Sequence, residues 1–272
     1  MKVLYLPWPK MVAATVVLML ALTLVIYEST GWLAVMAPPH RLVPIYSVET
    51  PAKKVAISFD AAWGADKTPQ ILSILKQYNV KTTFFLVDFW MEKYPEVTKQ
   101  IAAAGHEVEN HSATHPHFND LSTEEMRREL EDTNARIRNL TGQEPLLFRP
   151  PFGEYNNTLL TVVDDLNMFA IQWDVDSLDW QNLTAEEISR RVLGMVQPGS
   201  IVLFHNNAEH TPEALPTIIE KIQSDGYEIV PISELIYKEN YYIESHSGRQ
   251  RPNPGPRPAI GITKPNLCFA LR

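Results

Sequence analysis

From Val55 onward, short apolar runs alternate with amphipathic ones, and this order most restricts what the chain can fold into. VAISF at 55–59, TTFFLV at 82–87, Glu107–Glu109, Leu146–Arg149, Phe169–Trp173, Ser200–His205 and Tyr227–Val230 read as strands. Helices are predicted over 68–78, 95–104, 122–140, 158–166, 184–196 and 213–225, with a last one from Ser233. Thr68-Pro69 puts proline at the favoured first helical position, and Gly105 and Gly142 stand where helices stop. Ser122 with Glu125, and Thr184 with Glu187, have the spacing of capping boxes. Seven strands alternating with helices call for a parallel sheet covered on its faces. An open flavodoxin-like sheet would usually stop at five. The expectation is an α/β fold, a deformed (β/α) barrel of about seven strands, near the eight-unit type but one unit short.

The ends differ from this middle. Met11 to Tyr27 is 17 residues without a charge, preceded by Lys2 and Lys10. That charge order leaves the N-terminus in the cytoplasm and sends the rest outward. The run is at the short end for a membrane span and slightly long for a signal-peptide core. An uncleaved single-pass anchor is the first reading. Cleavage near Val35-Met36-Ala37 with secretion is the second, and a buried helix the third. Residues 1–45 form this segment and its linker. From Ser245 to Arg272 the chain has five prolines and little apolar content until Leu267, so a disordered tail is expected there. The net charge of −8 sums +2 over 1–45, +5 over 245–272 and −15 over 46–244. An acidic domain argues against nucleic acid as partner. The single cysteine, Cys268, excludes Cys-rich metal sites and an internal disulfide, and has no assignable role. The sequence implies no protein partner.

The polar residues then fall in one place. Asp60 ends the first strand, His111 and His115 follow the third, and Arg149 ends the fourth. Asp176 and Asp179 follow the fifth, and His205 ends the sixth. In a barrel these points ring a single mouth, where active sites are built. One polar residue at a strand end is ordinary. A whole set at the same end marks a site.

Singly, the motifs are weak. NHSATH at 110–115 holds two histidines four apart, which on a helical turn share a face and reach one metal, yet is as often a surface pair. FRPPFG at 148–153 reads as a turn, DVDSLDW at 174–180 as a solvated acidic loop, and His205 as a structural histidine. In this order and spacing, FDAAWG (59–64), GHEVENHSATH (105–115), RPPFG (149–153), DSLDW (176–180) and LFH (203–205) together resemble the polysaccharide deacetylase (NodB-homology, carbohydrate esterase) family over about 52–240. The short N-terminal arm and altered first motif look like its sporulation-type members.

The resemblance implies metal-assisted removal of acetyl groups from an N-acetylated sugar, within a domain spanning 46–244. Asp60 matches the general base and Arg149 the residue that orients it. His111 and His115 match two ligands of a divalent metal, zinc first, with cobalt, manganese or nickel as alternatives. His205 matches the acid that protonates the leaving amine, and Asp179 the carboxylate that holds it. Phe152 and Trp180 match aromatics that line the substrate site. The chemistry wants these groups independently. Water must lose a proton to a carboxylate that an arginine keeps ionised, and the amine leaves only if an acid protonates it.

One position departs from the pattern. The family usually has a second Asp, a metal ligand, immediately after the base, and this chain has Ala61. Glu109 is a candidate replacement, because strand alternation points it the same way as His111. Asp66 is another. The expected function is therefore a membrane-held, extracytoplasmic N-deacetylase of a cell-wall glycan. Peptidoglycan, at N-acetylglucosamine or N-acetylmuramic acid, is the first substrate choice. The alternative is a non-catalytic relative that binds glycan through the same groove.

Overall fold

The computed structural model describes residues 7–29 and 41–254, and the chain divides into two units between Arg41 and Leu42. In the first, Trp8–Ser29 forms helix α1 of 22 residues, about 33 Å long. Its Trp8–Val25 stretch has a mean hydropathy of 1.9 over 18 residues, so it is long and apolar enough to cross a membrane.

The second unit is built around strand β2, Lys54–Ala61, whose residues are buried on both faces after the first. That continuous burial is the mark of a central parallel strand. Around it stand β3 (Thr83–Leu86), β4 (Glu107–Asn110), β5 (Leu147–Phe148), β6 (Phe169–Ala170), β7 (Val175–Asp176) and β8 (Ile201–His205), all parallel, in the order β6-β5-β4-β3-β2-β8-β7. A further strand, β9 (Glu228–Ile229), pairs with the start of β2. Seven strands laid flat would span about 29 Å. The edge strands β6 and β7 are adjacent in sequence, and the five steps from Ala170 to Val175 reach at most about 18 Å. The sheet therefore has to curl into the deformed barrel expected from the sequence.

Alternation along the strands sorts two cores. Val55, Ile57, Phe59 and Ala61 face outward and pack with Phe84, Leu86, Val202 and Phe204 against the helices. Ala56 and its inward-facing neighbours meet Phe85, Leu147, Ile171 and Ile201 inside the curl. The outer layer includes α2 (Thr68–Gln77), α3 (Asp88–Lys93), α4 (Pro95–Ala103), α5 (Thr123–Thr141), α6 (Asn157–Asp165), α7 (Ala185–Met195) and α8 (Thr211–Ser224), whereas the single turn α9 (Ile232–Leu235) packs Ile232 and Leu235 into the inner core. Both expected capping boxes form, Ser122 with Glu125 and Thr184 with Glu187.

Two local readings need correction. Val175–Asp176, read as part of an acidic loop, is a strand paired with β8. The disorder expected from Ser245 does not hold over the described residues up to 254: β11 (Arg249–Pro252) pairs antiparallel with β10 (Tyr241–Ile243) and parallel with β1 (Ser47–Val48). Its polar, proline-containing sequence hides this, because its bonds are to backbone. Residues 45–48 in turn bridge edge strand β6 and the start of β8, the strand next to the other edge. Ile45 bonds Ala170 and Gln172, and Val48 bonds Gly199. Residues 255–272, with Cys268, and the Val35–Ala37 cleavage sequence lie outside the described residues.

Gln250 anchors this hairpin. Fully buried, it donates to the Tyr237 carbonyl at 2.7 Å and accepts from the Tyr237 N–H at 2.8 Å. Gln250→Ala should strand both backbone groups and lower unfolding free energy by about 2 kcal/mol or more. Urea unfolding checks this, and a solvated tail would give no change.

Candidate active site

Strand register decides which side chains meet. Asp60 lies beside Phe85 on one side and His205 on the other, and Phe85 lies beside Glu109. Laterally paired residues point to the same face, so Asp60 and His205 both look into the curl. His111 and Arg149, one residue past β4 and β5, join them there. Asp60, His111, His115, Phe152, Trp180 and His205 line one cavity of about 730 Å³, together with Trp63, Trp173 and Asp176.

Arg149 is wholly buried, and its guanidinium donates to Asp60 Oδ1 at 2.7 Å and to the Gln172 carbonyl at 3.2 Å. It rests on the Phe85 ring, 4.2 Å from the centroid. Burial alone would push the Asp60 carboxyl up, but Arg149, His111 and His205 overcome it and hold Asp60 below its ordinary value. This is an ionised, buried carboxylate with its second oxygen 3.6 Å from His111 Nε2.

His111 sets its Nδ1 against the Arg149 carbonyl at 2.7 Å, which makes Nδ1 the donor and leaves the Nε2 lone pair toward Asp60 and the cavity. The loop to His115 is not the helical turn expected from the spacing. Ser112 and His115 both have positive φ, of 74° and 57°. The loop keeps this shape because the Glu129 carboxylate accepts from the N–H groups of Ala113 and Thr114, and Asn110 accepts from Ser112. The two imidazole rings still come within 5.1 Å. Burial pushes the His115 pKa down to about 4 and His111 below its ordinary value, so both are neutral at pH 7. His115 Nδ1 is buried without a hydrogen-bond partner.

On the other side of the cavity, Asp179 sits in the turn after β7, aimed by Leu178 in the left-handed region at φ 55°. Its Oδ1 takes His205 Nδ1 at 2.7 Å, and its Oδ2 accepts from the His205 N–H at 2.8 Å and the Thr211 hydroxyl at 2.6 Å. Burial pulls the His205 pKa down, but Asp179, then Asp60 and Asp176, raise it above its ordinary 6.5. Nε2 is left toward the cavity as the proton donor. Phe152, at φ 58°, packs against His115 at 4.6 Å and stacks on His117 at 4.4 Å.

Glu109 is not brought to this cavity. It does share the inner face with His111, but two residues along a strand place it about 6.6 Å deeper. There it is buried, and its Oε2 accepts from the N–H groups of Leu146 and Leu147 at 2.9 and 2.7 Å. Burial pushes its carboxyl well above the usual range, the two N–H groups offsetting part of this. Asp66 is exposed and Ala61 packs in the outer core, so neither lines the cavity. Among the described residues, no group of three or more His, Cys, Asp or Glu is placed to hold a metal. The orphaned His115 nitrogen and the His111 lone pair fit a divalent cation as two donors. They do not fit the three protein ligands usual in a catalytic zinc site.

Sequence reasoning missed Trp63, Thr211, Gln172 and Glu129. The last three act on groups brought close only by folding, and no local pattern marks them. Trp63 stood in the first motif as an exposed aromatic beside a glycine, a signal that was available. For Glu109, removal to Glu109→Ala should leave metal affinity unchanged in a metal titration. It should lower unfolding free energy by about 2 kcal/mol, because the buried Leu147 N–H and the half-buried Leu146 N–H lose their acceptor.

A family model described as polysaccharide deacetylase matches residues 47–171. A peptidoglycan-N-acetylglucosamine deacetylase of Bacillus cereus is 35% identical over 196 residues, covering 70% of this chain and 71% of the relative. The peptidoglycan-N-acetylmuramic acid deacetylase PdaC of Bacillus subtilis is 34% identical over 201 residues, 73% of this chain and 42% of the relative. Among solved structures, a CE4 family pseudoenzyme from Bacillus anthracis is 38% identical and matches 72% of this chain and 69% of its own with a TM-score of 0.69. By sequence, fold and the residues at the strand ends, this chain belongs to the polysaccharide deacetylase family.

Proposed function

We propose that the chain removes N-acetyl groups from a cell-wall glycan, peptidoglycan first, at N-acetylglucosamine or N-acetylmuramic acid. The observation that carries this is a buried, ionised Asp60 and a carboxylate-backed His205 facing one cavity from neighbouring strands. Asp60 takes a proton from the attacking water, and Arg149 keeps it ionised and aimed. His205 Nε2 gives a proton to the amine as the C–N bond breaks, and Asp179 fixes its tautomer. The backbone N–H of Phe152 serves the oxyanion, and Phe152 and Trp180 hold the sugar. His111 and His115 would hold a divalent cation as its two protein donors, and its chemistry there would be to polarise the acetamide oxygen and acidify water. Helix α1 would anchor the domain on the outer side of the cytoplasmic membrane. The names of the relatives support the substrate class.

A second reading, a non-catalytic glycan binder, is favoured by Ala61, by the two-donor metal set and by the likeness to a pseudoenzyme.

Acetate release from peptidoglycan and from N-acetylglucosamine oligomers, with zinc or cobalt supplied, decides between the two. The expected outcome is release by the wild-type chain, reduced about 10²- to 10⁴-fold in Asp60→Asn and in His205→Ala. Glycan binding without acetate release would hand the site to the second reading.

The pH profile carries a further expectation. A raised His205 pKa keeps the acid protonated past pH 6.5, and activity falls as pH rises through the raised pKa. Asp179→Asn removes the largest raising influence, so the alkaline limb of kcat/KM should move to lower pH. An unmoved limb would mean that another group is the acid.

A further inference from the structure

Among the described residues of the 42–254 unit, the exposed large apolar side chains are Leu42, Trp63, Phe152, Trp180, Met195 and Tyr242. Three of these six line the one cavity already described, and all three are aromatic: Trp63 at 66% exposure, Phe152 at 55% and Trp180 at 59%. Exposed apolar side chains are ordinary when scattered. Clustered at the mouth of a polar cleft, they mark a surface that binds something. Trp63 has no place in the proton-transfer chemistry.

The loop presents Trp63 rigidly. The Gly64 carbonyl accepts from Trp90 Nε1 and from Asn206 Nδ2. Gly64 itself has φ +66°, and a Cβ there would come 2.2 Å from Asn207 Nδ2, so backbone and asparagine are locked together. Asn206 also donates to Thr68 at the start of α2. An indole held this firmly yet left in water is a preorganised contact surface. Its ring packs by one edge on His115, centroids 4.9 Å apart at 65°, while Phe152 packs on the same imidazole at 4.6 Å. Trp63 thus stands one ring's breadth from the reacting centre.

We infer that Trp63 is the stacking platform for a sugar that adjoins the one being deacetylated, so that the site selects an extended glycan over a short one. The inference rests on the glycan reading of the cavity. The apolar C–H face of a pyranose packs on an aromatic face and needs no charge, which an exposed indole supplies. The cavity, about 730 Å³, lies in the upper part of the roughly 300–1,000 Å³ range of small-molecule sites and accommodates more than one sugar ring.

Isothermal titration with the dimer and the pentamer of N-acetylglucosamine, on the wild-type chain and on Trp63→Ala and Trp63→Phe, tests this without requiring turnover. The wild type should bind the pentamer more tightly than the dimer. Trp63→Ala should lose about tenfold in pentamer affinity and with it the dependence on length. Trp63→Phe, which keeps an aromatic face, should retain most of that affinity. A purely structural loop residue would shift both oligomers alike. Pentamer affinity unchanged in Trp63→Ala overturns the platform while leaving the glycan reading intact. A wild-type chain that binds neither oligomer overturns the glycan reading and the platform with it.

Discussion

The ion pair between Arg149 and Asp60 is the interaction on which the rest of the site depends. Both partners are buried, and removing either would leave a lone charge out of water, at a cost of about 3–5 kcal/mol. The two come from strands three places apart, the end of β5 and the end of β2. In a flat sheet those positions would be about 14 Å apart, beyond the reach of an arginine side chain. Contact at 2.7 Å therefore requires the curl, and the pair in turn helps hold it. The same arginine presents its carbonyl to His111 Nδ1, so the base and the first imidazole donor are set by one residue.

Charge organises the cavity in a consistent way. Asp60 raises the proton affinity of His205, and His205 lowers that of Asp60. The deprotonated base and protonated acid that amide hydrolysis needs are thus the states this arrangement favours. Asp179 makes the preference stronger by bonding both the ring and the backbone N–H of His205. What the cavity lacks is a third metal donor. Ala61 turns into the outer core, and Glu109, though on the correct face, lies one layer too deep and binds backbone.

Much of this was legible in the sequence, for physical reasons. Strand and helix periodicity gave the alternating order, and capping boxes marked two helix starts because side chain and backbone reciprocate locally. The residues ending the strands, from Asp60 to His205, were readable as one group because parallel strands put their C-terminal ends together. The rest depended on distance along the chain. Two-residue β7 carries too little pattern to register. Strand β11 is polar and ends on a proline, and only its pairing with β1 and β10 makes it a strand. Alternation correctly turned Glu109 inward but carries no information on depth. Spacing brought His111 and His115 together in the right number, yet through a loop with two positive φ angles and not through a helix.

The most direct test of this account is the ionisation of Asp60 itself. A carbon-13 NMR titration of the Asp60 carboxyl in the metal-free folded chain, identified against Asp60→Asn, measures it. The ion pair predicts a midpoint below the ordinary value of 3.8, with the contribution to stability lost only as pH falls through it. A midpoint above 3.8 would mean that burial outweighs Arg149, and that the ion pair is not what sets the charge state of the proposed base.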